Sequence, residues 1–125
     1  MTFVNEKIPE GEKLRVILLS YFPVDAFSLR EFTASFRRVS IRSLKFDSDV
    51  ADEVRCYIKY KPILGALEKA LGFELQPINE PYQHNTYDII YIIFLKKTLR
   101  GKYIEELEPD DLVIYRSIVL KGAWF

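Results

Sequence analysis

Apolar residues recur at helical intervals in the first part of the chain. Segment 12–22 has one apolar helical face, and Pro23 follows it. The residues on that face are Leu14, Ile17, Leu18 and Tyr21. The spacing predicts a helix that ends before Pro23. A buried strand is the alternative, because residues 16–19 form an unbroken apolar run.

A second helix is predicted for residues 28–39. Ser28 with Glu31 three positions later has the pattern of a capping box, which satisfies free N–H groups at a helix start. Arg37 and Arg38 would lie in the last turn, where cations suit the negative end of the helix dipole. The apolar positions that follow at helical spacing are Leu29, Phe32, Phe36 and Val39.

The pattern then changes to the two-residue period of β-strands. Segment 40–46 is predicted to be a short strand and segment 47–52 a turn. Segment 54–61 has the cleanest alternation in the chain, and we expect a hairpin to join it to the preceding strand. Its apolar face would carry Val54, Cys56, Ile58 and Tyr60.

Residues that commonly begin and end helices bound segment 62–71. Pro62 opens the segment, apolar residues follow at helical spacing, and Gly72 stands just beyond the end. Residues 73–86 are predicted to form a loop with two prolines, and residues 98–102 a turn.

Two long apolar segments remain. Residues 89–95 are β-branched and aromatic on both faces, which predicts a central strand covered on both sides. The composition of residues 112–120 favours a strand. A helix is the alternative, because Pro109 and Gly122 are residues that commonly occur at the start and end of a helix. Together the elements predict one α+β domain over residues 1–125, with a mainly antiparallel sheet packed by two or three helices.

Composition narrows the class of protein. The 125 residues contain 18 basic and 18 acidic side chains, so a strong electrostatic preference for nucleic acid is not expected. The single cysteine forbids an intrachain disulfide. No basic stretch followed by an apolar segment opens the chain, and the longest apolar run is about a third of a membrane-spanning helix. We therefore expect a cytoplasmic protein without a membrane segment.

Groups that could perform chemistry are few. His84 lies in a loop near Glu80, Asp88 and two tyrosines, where a carboxylate could orient it as a general base; a solvated histidine is the simpler interpretation. Cys56 on an apolar strand face is interpreted as a small buried hydrophobe rather than the nucleophile of a Cys56–His84 pair. The acidic segment 105–111 could bind a metal ion or be a solvated charged turn, whereas the aspartates of segment 47–52 lack the central glycine and terminal glutamate of a calcium loop; no cofactor or metal is expected. Those aspartates are Asp47, Asp49 and Asp52.

Charged and aromatic clusters suggest a binding surface instead. Basic residues occur in segments 37–45 and 96–102, and the chain ends on two large aromatics. The acidic segment 105–111 crowds like charges, which a basic partner would relieve. The residues predicted to bind a partner are Tyr82, His84, Glu105, Glu106, Glu108, Asp110, Asp111, Trp124 and Phe125.

These observations favour a non-catalytic protein-interaction module over an enzyme. A small inhibitor or immunity protein that neutralises a toxin or enzyme, with a partner of basic surface, is one form of this hypothesis. A nucleic-acid-binding accessory protein is the alternative, and a small enzyme using His84 is the second alternative. The oligomeric state and the partner's identity do not follow from the sequence.

Overall fold

A computed structural model describes residues 11–27, 32–96 and 107–121. Within them the chain forms five strands, two α-helices and two 3₁₀ turns. The strands are β1 (Arg15–Leu19), β2 (Phe32–Val39), β3 (Glu53–Cys56), β4 (Asp88–Leu95) and β5 (Leu112–Lys121). The helices are α1 (Ile41–Val50) and α2 (Lys61–Leu71), and the 3₁₀ turns are Val24–Ala26 and Pro109–Asp111.

The five strands form one mixed sheet in the order β2-β5-β4-β1-β3. β1 pairs in parallel with both β3 and β4, whereas β5 pairs antiparallel with both β4 and β2. The α+β class is confirmed. The sheet divides evenly between parallel and antiparallel pairings, because β1, β3 and β4 are joined by crossovers rather than hairpins.

The sheet separates two hydrophobic cores. The helix-side core lies between the sheet and both α-helices. The loop-side core lies on the other face, where segment 22–27 and Tyr82 cover β1 and β4. Aromatic rings fill much of this second core; the Phe22 and Phe27 rings, for example, stack with centroids 5.3 Å apart. β4 is buried on both faces because it takes part in both cores.

Four sequence predictions are confirmed in position and type. α2 begins at Lys61, one residue before the predicted Pro62, and ends just before Gly72, whose backbone is left-handed with φ of 83°. Residues 73–86 connect α2 to β4 without a helix or strand. β4 is a central strand, and β5 forms a strand rather than a helix.

The two predicted N-terminal helices are wrong. The buried-strand alternative for segment 12–22 is correct, since β1 is a central parallel strand with no exposed face. Residues 32–39 form β2, and residues 28–31, with the predicted capping box, lie outside the described residues. Phe32 and Phe36 also satisfy a two-residue period, and pairing with β5 across eight residues decides in favour of the strand.

The predicted strand 40–46 and its hairpin are also wrong. Residues 41–50 form α1, which includes most of the predicted turn, and β3 pairs in parallel with β1. β3 is shorter than predicted. Cys56 and Ile58 are buried as expected, but Tyr60 is exposed because the chain turns there into α2.

No helix among the described residues is long and apolar enough to span a bilayer. The predicted turn at 98–102 lies outside the described residues.

Candidate interaction site

The residues predicted to bind a partner do not converge on one surface. Glu108 precedes and Asp111 ends a 3₁₀ turn that contacts α2, on the helix side of the sheet. Tyr82 belongs to the loop-side core, and His84 follows it against Phe27. Glu105, Glu106, Trp124 and Phe125 lie outside the described residues.

The described part of the acidic segment has structural contacts. Lys69 of α2 donates to Glu108, with 2.7 Å between Nζ and Oε2, and both side chains remain partly exposed. The backbone N–H of Glu108 donates to Asp111 Oδ2 at 2.8 Å. Asp110 is exposed. These contacts hold the residues that precede β5 against α2. The predicted role of the acidic segment in partner binding stays a prediction.

Asp88 is the centre of a buried polar network on the loop side. Arg15 and Asp88 are register partners at the starts of β1 and β4, and Arg15 donates to both carboxylate oxygens at 2.8 and 2.7 Å. Tyr82 Oη donates to Asp88 Oδ2 at 2.7 Å, and the backbone N–H of Asn85 donates to the same oxygen at 3.0 Å. Such a paired and hydrogen-bonded carboxylate is stable in the interior. We call Arg15, Tyr82, His84 and Asp88 the Asp88 network.

His84 is the outer member of the Asp88 network. Its Nδ1 lies 2.9 Å from Tyr82 Oη. Because the tyrosine proton is donated to Asp88, the hydrogen-bond pattern assigns the histidine proton to Nδ1, which leaves Nε2 as the acceptor. Burial lowers the His84 pKa, the negative charge of Asp88 raises it, and Arg15 lowers it; the result is below the ordinary value. His84 is therefore neutral at neutral pH.

The Asp88 network explains why Tyr82 is a structural residue in this fold. Tyr82 is 6 % exposed and its hydroxyl is engaged on both sides. Burial, followed by the nearby Asp88 charge, raises the pKa of Tyr82 far above its ordinary value. The phenol thus remains protonated and serves as a fixed link between His84 and Asp88.

Cys56 lies on the other side of the sheet from His84. Its thiol belongs to the helix-side core and donates to the carbonyl of Ile58 at 3.7 Å. Burial raises the Cys56 pKa, which disfavours the reactive thiolate. The interpretation of Cys56 as a buried hydrophobe agrees with this position, and a sheet separates the two members of the Cys56–His84 pair.

The three aspartates of segment 47–52 have separate protein partners. Asp47 is buried under α1, Asp49 pairs with Lys45 at 3.4 Å, and Asp52 accepts the backbone N–H of Leu14 at 2.8 Å. Among the described residues, no group of three His, Cys, Asp or Glu side chains could hold a metal ion.

A second buried network surrounds Asp47 on the helix side. Tyr91 Oη donates to Asp47 Oδ2 at 2.6 Å, and Arg116 Nε donates to the same oxygen at 3.1 Å. Since the Tyr91 proton is used there, the Ser43 hydroxyl donates to Tyr91 Oη, 3.0 Å away. Burial raises the Tyr91 pKa above its ordinary value. This Asp47 network joins α1 to β4 and β5.

β2 is the most exposed element that the sheet presents. Residues 35–38 are all exposed, and β2 is an edge strand whose inner side pairs with β5 through all eight residues. Phe36 is 49 % exposed and points to the loop side, where its ring meets the Phe22 ring edge-on at 5.3 Å. Arg38 shares that face, whereas Arg37 lies on the helix side opposite Arg116.

This geometry divides the first basic cluster of the sequence. Arg37 and Arg38 are on opposite faces of β2, and Lys45 on α1 is occupied by Asp49 and by the carbonyl of Leu71. The second cluster lies mostly in residues 97–106, outside the described residues.

The sequence pattern does not reveal the buried ion pairs of Arg116 with Asp47 and of Arg15 with Asp88. The partners in these pairs are 69 to 73 positions apart in the chain, and no local spacing reports such pairs. Charged residues inside otherwise apolar segments were the available signal, since a charge at a core position requires a partner.

No protein-family model and no curated protein matches this chain. Among solved structures, the chain is similar to B116 of Sulfolobus turreted icosahedral virus. The TM-score is 0.58 at 15 % sequence identity, and the match covers 82 % of this chain and 97 % of the viral protein. At this identity the similarity shows a shared fold.

Proposed function

We propose that this protein is a non-catalytic protein-interaction module that binds an extended segment of a partner protein along the free edge of β2. The observation that supports this proposal is the length of that edge, on whose outer side no strand of the described residues pairs. An eight-residue edge strand presents a row of backbone N–H and C=O groups that a second extended chain can satisfy.

The opposite edge of the sheet, formed by β3, is covered by the chain itself and is therefore not available for strand addition in the same way. β3 has only four residues, and Pro77 forms a parallel bridge to Cys56 at its outer side. The backbone N–H of Ile78 donates to the Cys56 carbonyl at 2.8 Å. β2 has no proline, and its pairing register with β5 is continuous, so neither a proline nor a bulge blocks its outer edge.

An apolar patch beside the edge provides an anchor. Phe36 is half exposed, and its ring contacts the ring of Phe22. Val24, two positions after Phe22, is 62 % exposed. A large aromatic side chain next to unpaired backbone groups is the combination that gives strand-addition sites affinity and specificity.

The charge of β2 selects the partner. Arg37 and Arg38 are both exposed, one on each face. Exposed charges also discourage self-pairing of edge strands, because two copies would bring arginines together. The same charges attract an acidic segment. An inhibitor or immunity protein is the form of this function in which the partner is an enzyme or a toxin.

A peptide selection with a mapped binding site tests this function. We expect extended peptides selected from a display library to be enriched in Asp and Glu and to slow hydrogen exchange of the β2 amides on binding. Phe36→Ser should weaken the selected peptides at least about tenfold, because it removes the anchor. Phe46→Ser is the matched control, since Phe46 is an equally exposed phenylalanine on α1.

Three outcomes contradict the proposal. The first is protection by the selected peptides of amides outside β2 only, and the second is an equal loss of affinity in the Phe36 and Phe46 variants. Concentration-dependent protection of β2 without peptide would instead identify a second copy of the chain as the occupant of the edge.

A further inference from the structure

A groove on the helix side of β2 and β5 is separate from the free edge. The two helices cover β4, β1, β3 and the first half of β5, and leave the neighbouring part of β2 open. The groove encloses about 400 Å³, within the size range of small-molecule sites. Its walls are formed by Ser35, Phe36, Arg37, Arg116 and Ile118.

Arg116 is a buried cation with unused hydrogen-bonding capacity. It is 8 % exposed, and Asp47 accepts from its Nε. Its Nη2 is buried and has no hydrogen-bond partner among the described residues. A buried guanidinium N–H without an acceptor is unfavourable, so a donor of this kind lining a groove indicates an acceptor that binds there.

Arg37 places a second positive charge on the same wall. Arg37 and Arg116 are register partners in adjacent antiparallel strands, so their side chains project from the same face as neighbours. Like charges in that position repel each other, and the single carboxylate of Asp47 offsets only one of them. An anion between them would relieve the repulsion.

The donors and charges of the groove match a phosphate group. Arg37 offers a guanidinium fork, Arg116 offers its free Nη2, and Ser35 offers a hydroxyl, while Ile118 gives an apolar wall. A phosphate dianion has more acceptor oxygens and more charge than a carboxylate. We infer that Ser35, Arg37 and Arg116 form a binding site for the phosphate group of a small phosphomonoester.

Inorganic phosphate and phenyl phosphate are the probes for this site. Phosphorus NMR and isothermal titration should show saturable binding at constant ionic strength, with the Arg116 Nε–H signal shifting at the same ligand concentration. Arg37→Gln should weaken binding at least about tenfold, since it removes the bidentate fork. Arg37 is exposed, so this variant should fold like the wild type.

Arg38→Gln is the matched control. It removes the same charge from the adjacent residue of the same strand, but from the opposite face. The inference is supported if Arg38→Gln keeps wild-type affinity while Arg37→Gln loses it. Equal losses in the two variants would show general charge attraction and overturn it, as would the absence of saturation.

Two further outcomes also overturn the inference. A poly-glutamate peptide that binds in an Arg37-dependent way while both phosphate probes fail would identify an acidic protein segment as the ligand. A short duplex that binds under the same conditions, with phenyl phosphate unable to compete, would identify a nucleic-acid backbone. Arg37 serves both proposals, so Arg38→Gln and Phe36→Ser separate them: a phosphate site should be insensitive to both changes, whereas strand addition at the edge of β2 should respond to Phe36→Ser.

Discussion

A single residue, Asp47, explains one of the larger differences between the sequence predictions and the structure. α1 has its inner face toward the sheet, and a carboxylate occupies one of the core positions of that face. A charged residue there interrupts the apolar helical pattern, and the sequence therefore predicts a strand and a turn for this segment. Its compensating partner, Arg116, is 69 positions away, and only the fold reveals the pair.

The Asp88 network was predictable in part. The sequence places His84 near Asp88 and two tyrosines because these residues lie within one short segment. Local spacing also suggested a carboxylate that orients the histidine, and in the structure Tyr82 links the two groups. The role of Arg15 could not be predicted, because pairing of β1 with β4 brings it to Asp88 across 73 positions.

Removing the charge of Asp88 should strongly destabilise the protein. Asp88→Asn leaves Arg15 without its counter-charge in a largely buried position, which typically costs about 3–5 kcal/mol. Asp49→Asn is the control, because the exposed Lys45–Asp49 pair should contribute less than about 1 kcal/mol. Urea denaturation measures both. Similar losses of unfolding free energy in the two variants would show that the Asp88 network is energetically unimportant.

At the scale of elements, the residues that commonly begin and end helices predicted α2 correctly but did not decide the structure of the first two segments. α2 has a proline at its start and a glycine at its end, and these signals need no tertiary contact. Similar signals also accompany β1 and β2, with Pro23 after the first and Ser28 and Glu31 before the second, yet both segments form strands. The apolar residues of β1 fit both a helix and a buried strand, and the pairing partners that decide the matter come more than thirty positions later.

Two glycines of α2 should respond to alanine in opposite directions. Gly65 lies in the helix with no atom within 4 Å of an added Cβ, so Gly65→Ala should stabilise the protein by about 0.5–1 kcal/mol. Gly72 has φ of 83°, which an alanine adopts at a cost, so Gly72→Ala should destabilise it by about 1 kcal/mol. Melting temperatures of the two variants measure the difference. A shift of the same sign in both would contradict this account of α2.

At the scale of the whole molecule, one buried polar network lies on each side of the sheet, and β4 belongs to both. Asp88 at its start joins the loop-side network, and Tyr91 joins the helix-side network. Each network links segments distant in sequence, which fixes the register of strands whose apolar side chains alone would tolerate a shift. The α+β class follows from element composition, whereas the strand order depends on these long-range contacts.

The whole protein should lose stability as the pH falls below neutrality, and His84 should be responsible. Its folded-state pKa is lowered, chiefly by burial, so the unfolded chain binds a proton more readily. The stabilisation that neutral His84 provides is complete above the histidine pKa of the unfolded chain, about 6.5. It is lost as the pH falls from that value toward the pKa of His84 in the folded protein. The slope is at most about 1.4 kcal/mol per pH unit for one proton.

Because His84 is the only histidine, a variant can isolate this effect. In His84→Asn the amide nitrogen replaces Nδ1 as donor to Tyr82 Oη but does not titrate. Urea denaturation between about pH 5 and 7 should give a rising unfolding free energy for the wild type and a nearly flat one for the variant. An identical slope in the two proteins would assign the pH dependence to carboxylates instead. The half-buried imidazole would then be as easily protonated in the fold as in the unfolded chain.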